Sequence, residues 1–294
     1  MSLGHVPSKR TLASLYQSLD YTDHLRLTTP DLGYTSTAST SASNTHANRY
    51  TDIVAYDHAL LPGAYLNAAY IPPFQRTSLS FVVSQAPLPP TYAAFYAHVV
   101  QQRVRVLVNL TPLVEKGRRK ADQYWPELEA QMELQNGWTV RSESEGHVQL
   151  ERGQATLVRR VLHIDTADDG AWSVTQFHLT SWPDHSVFPT SLLLQLMHET
   201  QQVAMPKLFP PPPTWIHCSA GVGRSGTFAA ALIAQAAINV AKNEGPADAL
   251  WDLPVRIVEH LRRYRAHMVQ TLEQFEAVYE VVAQLARDAG LVKA

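Results

Sequence analysis

Residues 214–226, TWIHCSAGVGRSG, carry an apolar run into a glycine-rich loop, and the loop opens into GTFAAALIAQAAINVAK (226–242), apolar on nearly every face. A run of the first kind is an interior strand and one of the second is a buried helix, so the loop must join a strand end to a helix start inside the core. Cys218 stands at that strand end and is the one cysteine of 294 residues. It forms no internal disulfide and needs no oxidising compartment; it is either a small buried hydrophobe or a reactive thiol. Gly221, Gly223 and Gly226 permit backbone angles that aim successive N–H groups at one point, and the helix N-terminus adds positive potential there. That geometry holds an anion. The same field favours thiolate over thiol, and the neighbouring His217 is positioned to assist by hydrogen bonding. Arg224, six residues beyond Cys218, folds back to offer a planar fork to two oxygens of the bound group. A thiolate beneath an arginine-clamped tetrahedral oxyanion is equipment for phosphoryl transfer.

The rest of the chain reads as an α/β fold. Strand-like runs occur at 80–85, 104–110, 155–164, 173–182 and 214–219, and helical spacing at 91–102, 191–203, 226–242, 252–265 and 272–290. The mixture predicts a single domain with a mixed sheet flanked by helices on both sides. Leu12, Leu15, Tyr16 and Leu19 give residues 1–34 a helical segment packed on that domain. Residues 35–47 are nearly all small and polar and read as a flexible loop. PKLFPPPP (206–213) has five prolines in eight residues and is a stiff connector or a docking site for a proline-reading module.

A formal net charge of −2 gives no global reason to expect nucleic-acid or membrane-surface binding. No window approaches the ~20 apolar residues of a membrane span, and the N-terminus has no signal-peptide core. A soluble protein of the cytoplasm, or also the nucleus, is expected. None of the 13 histidines is spaced with cysteine or carboxylates as a zinc site requires, so neither metal nor other cofactor is expected.

HCSAGVGRSG resembles the phosphate-binding loop of the protein tyrosine phosphatases, HCxxGxxR[ST]. Six further stretches are similar to that family's domain in the same order: NRYTDIVAYDH (48–58), YLNAAYI (65–71), QAPLPPTYAAFYAHV (85–99), VNLTPLVEKGRRKADQYWP (108–126), QFHLTSWPDH (176–185) and RRYRAHMVQTLEQF (262–275). The resemblance covers about residues 48 to 285 and implies a phosphotyrosine-specific catalytic domain over 48–290, with that family's highly twisted mixed sheet. It implies Cys218 as nucleophile, Arg224 as phosphate clamp, and the loop residues Ser219, Ala220, Gly221, Val222 and Gly223 as the phosphate cradle. Asp184 becomes the general acid and then base, on a closing loop hinged at Trp182 and Pro183. The family usually continues with GVP where this chain has SVFPTS, which adds a residue at Phe188. Gln270 orients the water that hydrolyses the phosphocysteine, Gln274 assists, and Ser225 stabilises the departing thiolate. Glu115 holds Arg224, and Lys120 reaches toward the Asp184 loop.

By the same resemblance, Tyr50 walls a deep pocket that admits a long flat phosphotyrosine and excludes shorter side chains, while Asp52 would accept N–H groups of the bound peptide. His267 falls at the pocket mouth and narrows it. Arg262 is either part of a solvated basic face or near a second anion site. Ala121 stands where many relatives carry a second cysteine, so no internal disulfide can rescue oxidised Cys218. The implied partners are phosphotyrosine-containing proteins, met by a monomer. Two other functions compete. A catalytically inactive phosphotyrosine-binding module usually lacks the nucleophile, arginine or acid, and all three are here. A phosphoinositide phosphatase would gain from lysines inside the loop, and SAGVG has none.

Overall fold

A computed structural model describes residues 5–150, 153, 155–166, 170–180, 189–204, 210–244 and 250–292. Its eight-stranded sheet is ordered β1 (Ala68–Ile71), β2 (Phe81–Ser84), β10 (Thr214–His217), β3 (Val106–Asn109), β9 (Gly170–Leu179), β8 (Ala155–Thr166), β7 (Thr139–Leu150) and β6 (Gln131–Glu133). The central strands β2, β10, β3 and β9 are parallel and the outer pairings antiparallel. A separate two-residue hairpin joins β4 (Val114–Glu115) to β5 (Arg118–Arg119).

Successive side chains of a strand face opposite sides, and the central strands are apolar on both. Phe81, Val83, Val106, Val108 and Ile216 pack under α1 (Lys9–Thr28), α4 (Thr190–Ala204), α5 (Gly223–Glu244), α6 (Leu253–Tyr264) and α7 (Leu272–Asp288). Val82, Leu107 and Trp215 face Phe95, Tyr96 and Val99 of α3 (Tyr92–Gln101). Helices therefore cover both faces of a mixed sheet, as the sequence predicts. Residues Phe228 to Ala234 of α5 are buried without a break, which is why that helix is apolar all round. Ser8 caps α1 by accepting from the Thr11 N–H, and Thr271 caps α7 by accepting from the Gln274 N–H. Among the described residues no helix is long and apolar enough to cross a membrane.

Besides the short strands β1, β4, β5 and β6, two features are absent from the sequence reading. Residues 35–47, read from the sequence as a loop, contain the short helix α2 (Thr37–Thr40). The Asp57 carboxylate accepts from the Thr37 and Ala38 N–H groups at 2.8 and 2.9 Å, and buried Ser39 accepts from the Ala55 N–H and the Tyr65 hydroxyl. Polar groups with no apolar surface to bury are fixed here by hydrogen bonds to the rest of the chain. The second is β7, twelve residues long and absent from the sequence reading. Most of its side chains are exposed, so it carries no apolar alternation.

Candidate active site

β10 ends at His217 and α5 starts at Gly223, so Cys218 to Val222 form the loop between them. Three glycines allow it. Gly221 lies at φ +74°, and a Cβ there would come within 2.0 Å of the Ser84 carbonyl oxygen. A Cβ on Gly226 would lie 2.3 Å from the Val269 nitrogen, and one on Gly223 would lie 2.9 Å from Gln274 Nε2 and 3.4 Å from Gln270 Oε1. The loop thus passes against β2 on one side and the Val269–Gln274 segment on the other, with no room for a side chain.

The direction of its peptide groups is fixed by where the carbonyls go. Cys218 O accepts from His217 Nδ1 at 3.1 Å, and Ser219 O from the Ala86 N–H at 2.9 Å. Ala220 O and Gly221 O both accept from Arg265, at 2.9 and 2.8 Å. Val222 O accepts from the N–H groups of Gly226 and Val269. In a planar trans peptide the next N–H points opposite to the carbonyl. With five successive carbonyls bonded outward, the N–H groups of residues 219 to 223 turn to the other side, toward the cysteine. The Gly221 N–H meets the Cys218 sulfur at 3.3 Å. Such a nest of amides at a helix start is a ready anion site.

Arg265 is the residue that sequence reading missed. It is fully buried, with Nη2 also donating to Asn67 Oδ1 at 2.8 Å, and burial lowers its pKa to about 10. The available signal was position: Arg262 and Arg265 continue the buried stripe of Ile257, Val258 and Leu261 on α6, where charge is out of place unless it has a task. Arg262 is likewise buried. It donates to the Met268 and Val269 carbonyls and pairs with Asp20 at 2.7 Å and Asp23 at 3.4 Å. It is therefore neither a solvated charge nor an open anion site.

His217 is fully buried, and burial lowers its pKa to about 3. A carbonyl only accepts, so Nδ1 carries the proton it donates to Cys218 O, and Nε2 accepts from the Tyr124 hydroxyl at 2.7 Å. The imidazole braces the loop backbone rather than bonding to the sulfur. Its neighbour His178 is also held neutral, its pKa lowered by burial to about 4, and its Nε2 donates to the Thr111 carbonyl at 2.9 Å. Both folded pKa values lie below the ordinary 6.5, so from pH 6.5 down to about 4 the unfolded chain binds protons that the folded one refuses. Stability is present above that window and falls on acidification, by about 1.4 kcal/mol per pH unit for each histidine. Urea midpoints at pH 7.5 and pH 5.5 should differ more for the native chain than for His217→Asn; equal differences would contradict this origin.

Arg224 is 6% exposed. Its Nη2 donates to both oxygens of Glu115 at 3.0 and 2.9 Å, and Nη1 donates to Thr111 Oγ1 at 3.0 Å and Leu110 O at 3.3 Å. Glu115 is presented by the β4–β5 hairpin, whose turn puts Lys116 and Gly117 at φ +49° and +74°. The guanidinium plane is thereby locked before any ligand arrives. Lys120, just beyond that hairpin, accepts from the Ser219 hydroxyl through its carbonyl at 2.6 Å.

The Tyr50 hydroxyl bonds to the Ser219 hydroxyl at 2.6 Å, bringing its ring to the loop. Its segment is anchored by Gln85, which accepts from the Arg49 N–H and donates to Ala47 O, and by the Arg49–Asp122 ion pair. Asp52 is exposed. Gln270 is exposed too and lies in a cleft of about 260 Å³ with half-buried His267. Gln274 accepts from the Gln270 N–H at 2.8 Å, so the two glutamines are tied together beside Gly223. The Ser225 hydroxyl is buried and has no hydrogen-bond partner among the described residues. Ala121 is buried. Trp182, Pro183, Asp184 and Phe188 lie outside the described residues. β9, which leads toward them, pairs His178 with Asn109, and Asn109 pairs with His217, so it ends at the same edge of the sheet as Cys218.

Residues 44–284 match the family described as protein-tyrosine phosphatase. The human receptor-type tyrosine-protein phosphatase zeta is 30% identical over an alignment covering 96% of this chain and 12% of that protein. The mouse receptor-type tyrosine-protein phosphatase eta is 34% identical over 84% of the chain and 19% of its own length. The chain thus spans less than a fifth of these curated relatives. Among solved structures, the catalytic domain of human protein tyrosine phosphatase non-receptor type 18 superposes with a TM-score of 0.79 at 23% identity, covering 94% of this chain and 96% of that one. A complex of the same phosphatase with HER2-pY1196 phosphopeptides gives 0.80 at 24%, covering 94% and 93%.

Proposed function

This chain belongs to the protein-tyrosine phosphatase family, and from that premise we propose that it hydrolyses phosphotyrosine in proteins through a covalent phosphocysteine. The observation that carries the reading is the loop itself: five carbonyls bonded outward around Cys218, with Arg224 locked beside it by Glu115. Phosphate oxygens are met by the N–H groups of residues 219 to 223 and by Arg224, and the Cys218 thiolate attacks phosphorus in line with the leaving group. The S–P bond forms as the P–O bond breaks, and Asp184 gives its proton to the tyrosine oxygen. Water oriented by Gln270 then loses a proton to Asp184 and attacks phosphorus, and the thiolate departs. Ser225, whose hydroxyl has no other partner among the described residues, is suited to receive it. Tyr50, tied to Ser219 at the loop, lines the path to the sulfur and favours a long aryl phosphate over a short alkyl one.

A thiolate nucleophile implies a reducing compartment, so the assignment extends to the cytoplasm or nucleus. The partners proposed are phosphotyrosine-bearing proteins, a class that the peptide complex of the non-receptor type 18 enzyme also contains.

Rates on one peptide carrying phosphotyrosine or phosphoserine, without added metal, test the reading directly. Preference for the phosphotyrosine form supports it; no turnover of either, or faster turnover of a phosphoinositide, refutes it. Asp184→Ala should lower kcat by about 10²–10⁴ while KM for the peptide changes little, because acid catalysis is made only in the transition state. Unchanged kcat at the optimum pH would show that another group is the acid.

A further inference from the structure

The parallel strands that deliver His217 to the catalytic edge begin at the opposite edge of the sheet, and a second cleft, of about 1060 Å³, opens there. Its surface carries the half-exposed rings of Tyr70, Trp172 and Tyr264, and Pro210 to Pro213 form part of its wall. Arg103 and Arg105 stand exposed along it, and none of its described lining residues is acidic. The Arg105 guanidinium lies 3.6 Å above the Trp172 ring and donates to the Ser173 carbonyl at 3.2 Å. Trp172 is itself fixed by donating to the Val104 carbonyl at 2.8 Å. The Arg103 backbone N–H donates to the Val100 carbonyl at 2.9 Å, while its guanidinium makes no hydrogen bond or ion pair among the described residues. The residue sits just past the end of α3 at φ +55°, a position where glycine is the unstrained choice. The left-handed backbone of Arg103 caps the end of α3, with the Val104 N–H donating to the Val99 carbonyl, and its exposed guanidinium is left at the rim of the aromatic cleft.

We infer that this cleft binds an extended, proline-bearing acidic segment of another protein. Its volume lies at the top of the range for small-molecule sites, about 300–1,000 Å³, which suits a short peptide better than a compact ligand. Grooves lined by aromatic rings receive proline-rich segments because the extended proline helix is already ordered and its rings pack flat on aromatic faces. Cations along the cleft, with no carboxylate among its described lining residues, select glutamate or aspartate between the prolines and repel lysine-bearing segments. The cleft is at the far edge of the sheet from Cys218, so occupancy does not depend on the chemistry at the catalytic loop.

The probe is a fluorescein-labelled octapeptide of alternating glutamate and proline, followed by anisotropy with the whole chain. Saturable binding is expected, weakened by added salt, unaffected by inorganic phosphate at the catalytic loop, and reduced about tenfold in Arg103→Gly. That variant suits the positive φ and should melt no lower than the native chain, and it should turn over p-nitrophenyl phosphate at the native rate. Absence of saturable binding overturns the inference, as does native-strength binding by Arg103→Gly. Equal binding of the lysine–proline octapeptide removes the charge selection, and equal binding of the glutamate–glycine octapeptide removes the proline recognition; either result also overturns it.

Discussion

Cys218→Ser is expected to lower kcat for aryl phosphates by about 10⁵-fold or more, a loss of about 7 kcal/mol of transition-state stabilisation. A serine hydroxyl is protonated at neutral pH and becomes a nucleophile only when a neighbour takes its proton. The nearest imidazole, His217, has given both nitrogens away, one to the Cys218 carbonyl and the other to Tyr124. Among the described residues no compensating base is at hand, so the oxygen stays a hydroxyl. The anion cradle is made of backbone and survives the exchange, so the variant should still bind a phosphotyrosine peptide, measurable by calorimetry. Residual turnover above about one per cent of native would mean that sulfur is not the attacking atom.

Arg224→Lys is expected to cost about 10³-fold in kcat/KM, close to 4 kcal/mol. Lysine keeps the charge and loses the plane. One ammonium cannot satisfy Glu115, Thr111 and Leu110 together as the two terminal nitrogens of Arg224 do, and it cannot present a flat fork to two oxygens of a trigonal bipyramid at the same time. The loss should appear in kcat as well as KM, since equatorial oxygens are met best in the transition state. A variant within tenfold of native would show that charge alone suffices. Glu115→Gln, which keeps the contact and removes its charge, should fall between the two.

The catalytic loop was legible because its chemistry is local. One cysteine, three glycines and an arginine lie within nine residues, and Gly221 and Gly226 are required by neighbouring backbone too close for a side chain. The central strands and the buried helix α5 were legible for a related reason, since burial on all sides leaves an unbroken apolar run. What escaped was held by polar groups acting at long range. Arg265 reaches Gly221 across 44 positions and Asn67 across 198, and nothing near it in sequence announces either partner. Residues 35–47 look unstructured because their order comes from Asp57 and Tyr65, outside the stretch. The strand β7 is polar because little of it is covered, so the alternation that reveals strands is missing.

The carbonyls of the catalytic loop are secured by groups gathered from distant parts of the chain: Ala86 after β2, Arg265 beyond α6, and Val269 before α7. Closing spans of this length is slow, because the entropy of long loops must be overcome before the contacts that reward it are made. Without Arg265 and Val269 the carbonyls of Ala220, Gly221 and Val222 lose partners that aim them outward, and the amides between them have no reason to converge. Catalytic competence is thus coupled to the docking of residues 265–274. Arg265 and Val269, which lie outside the loop, decide whether the amides around Cys218 converge.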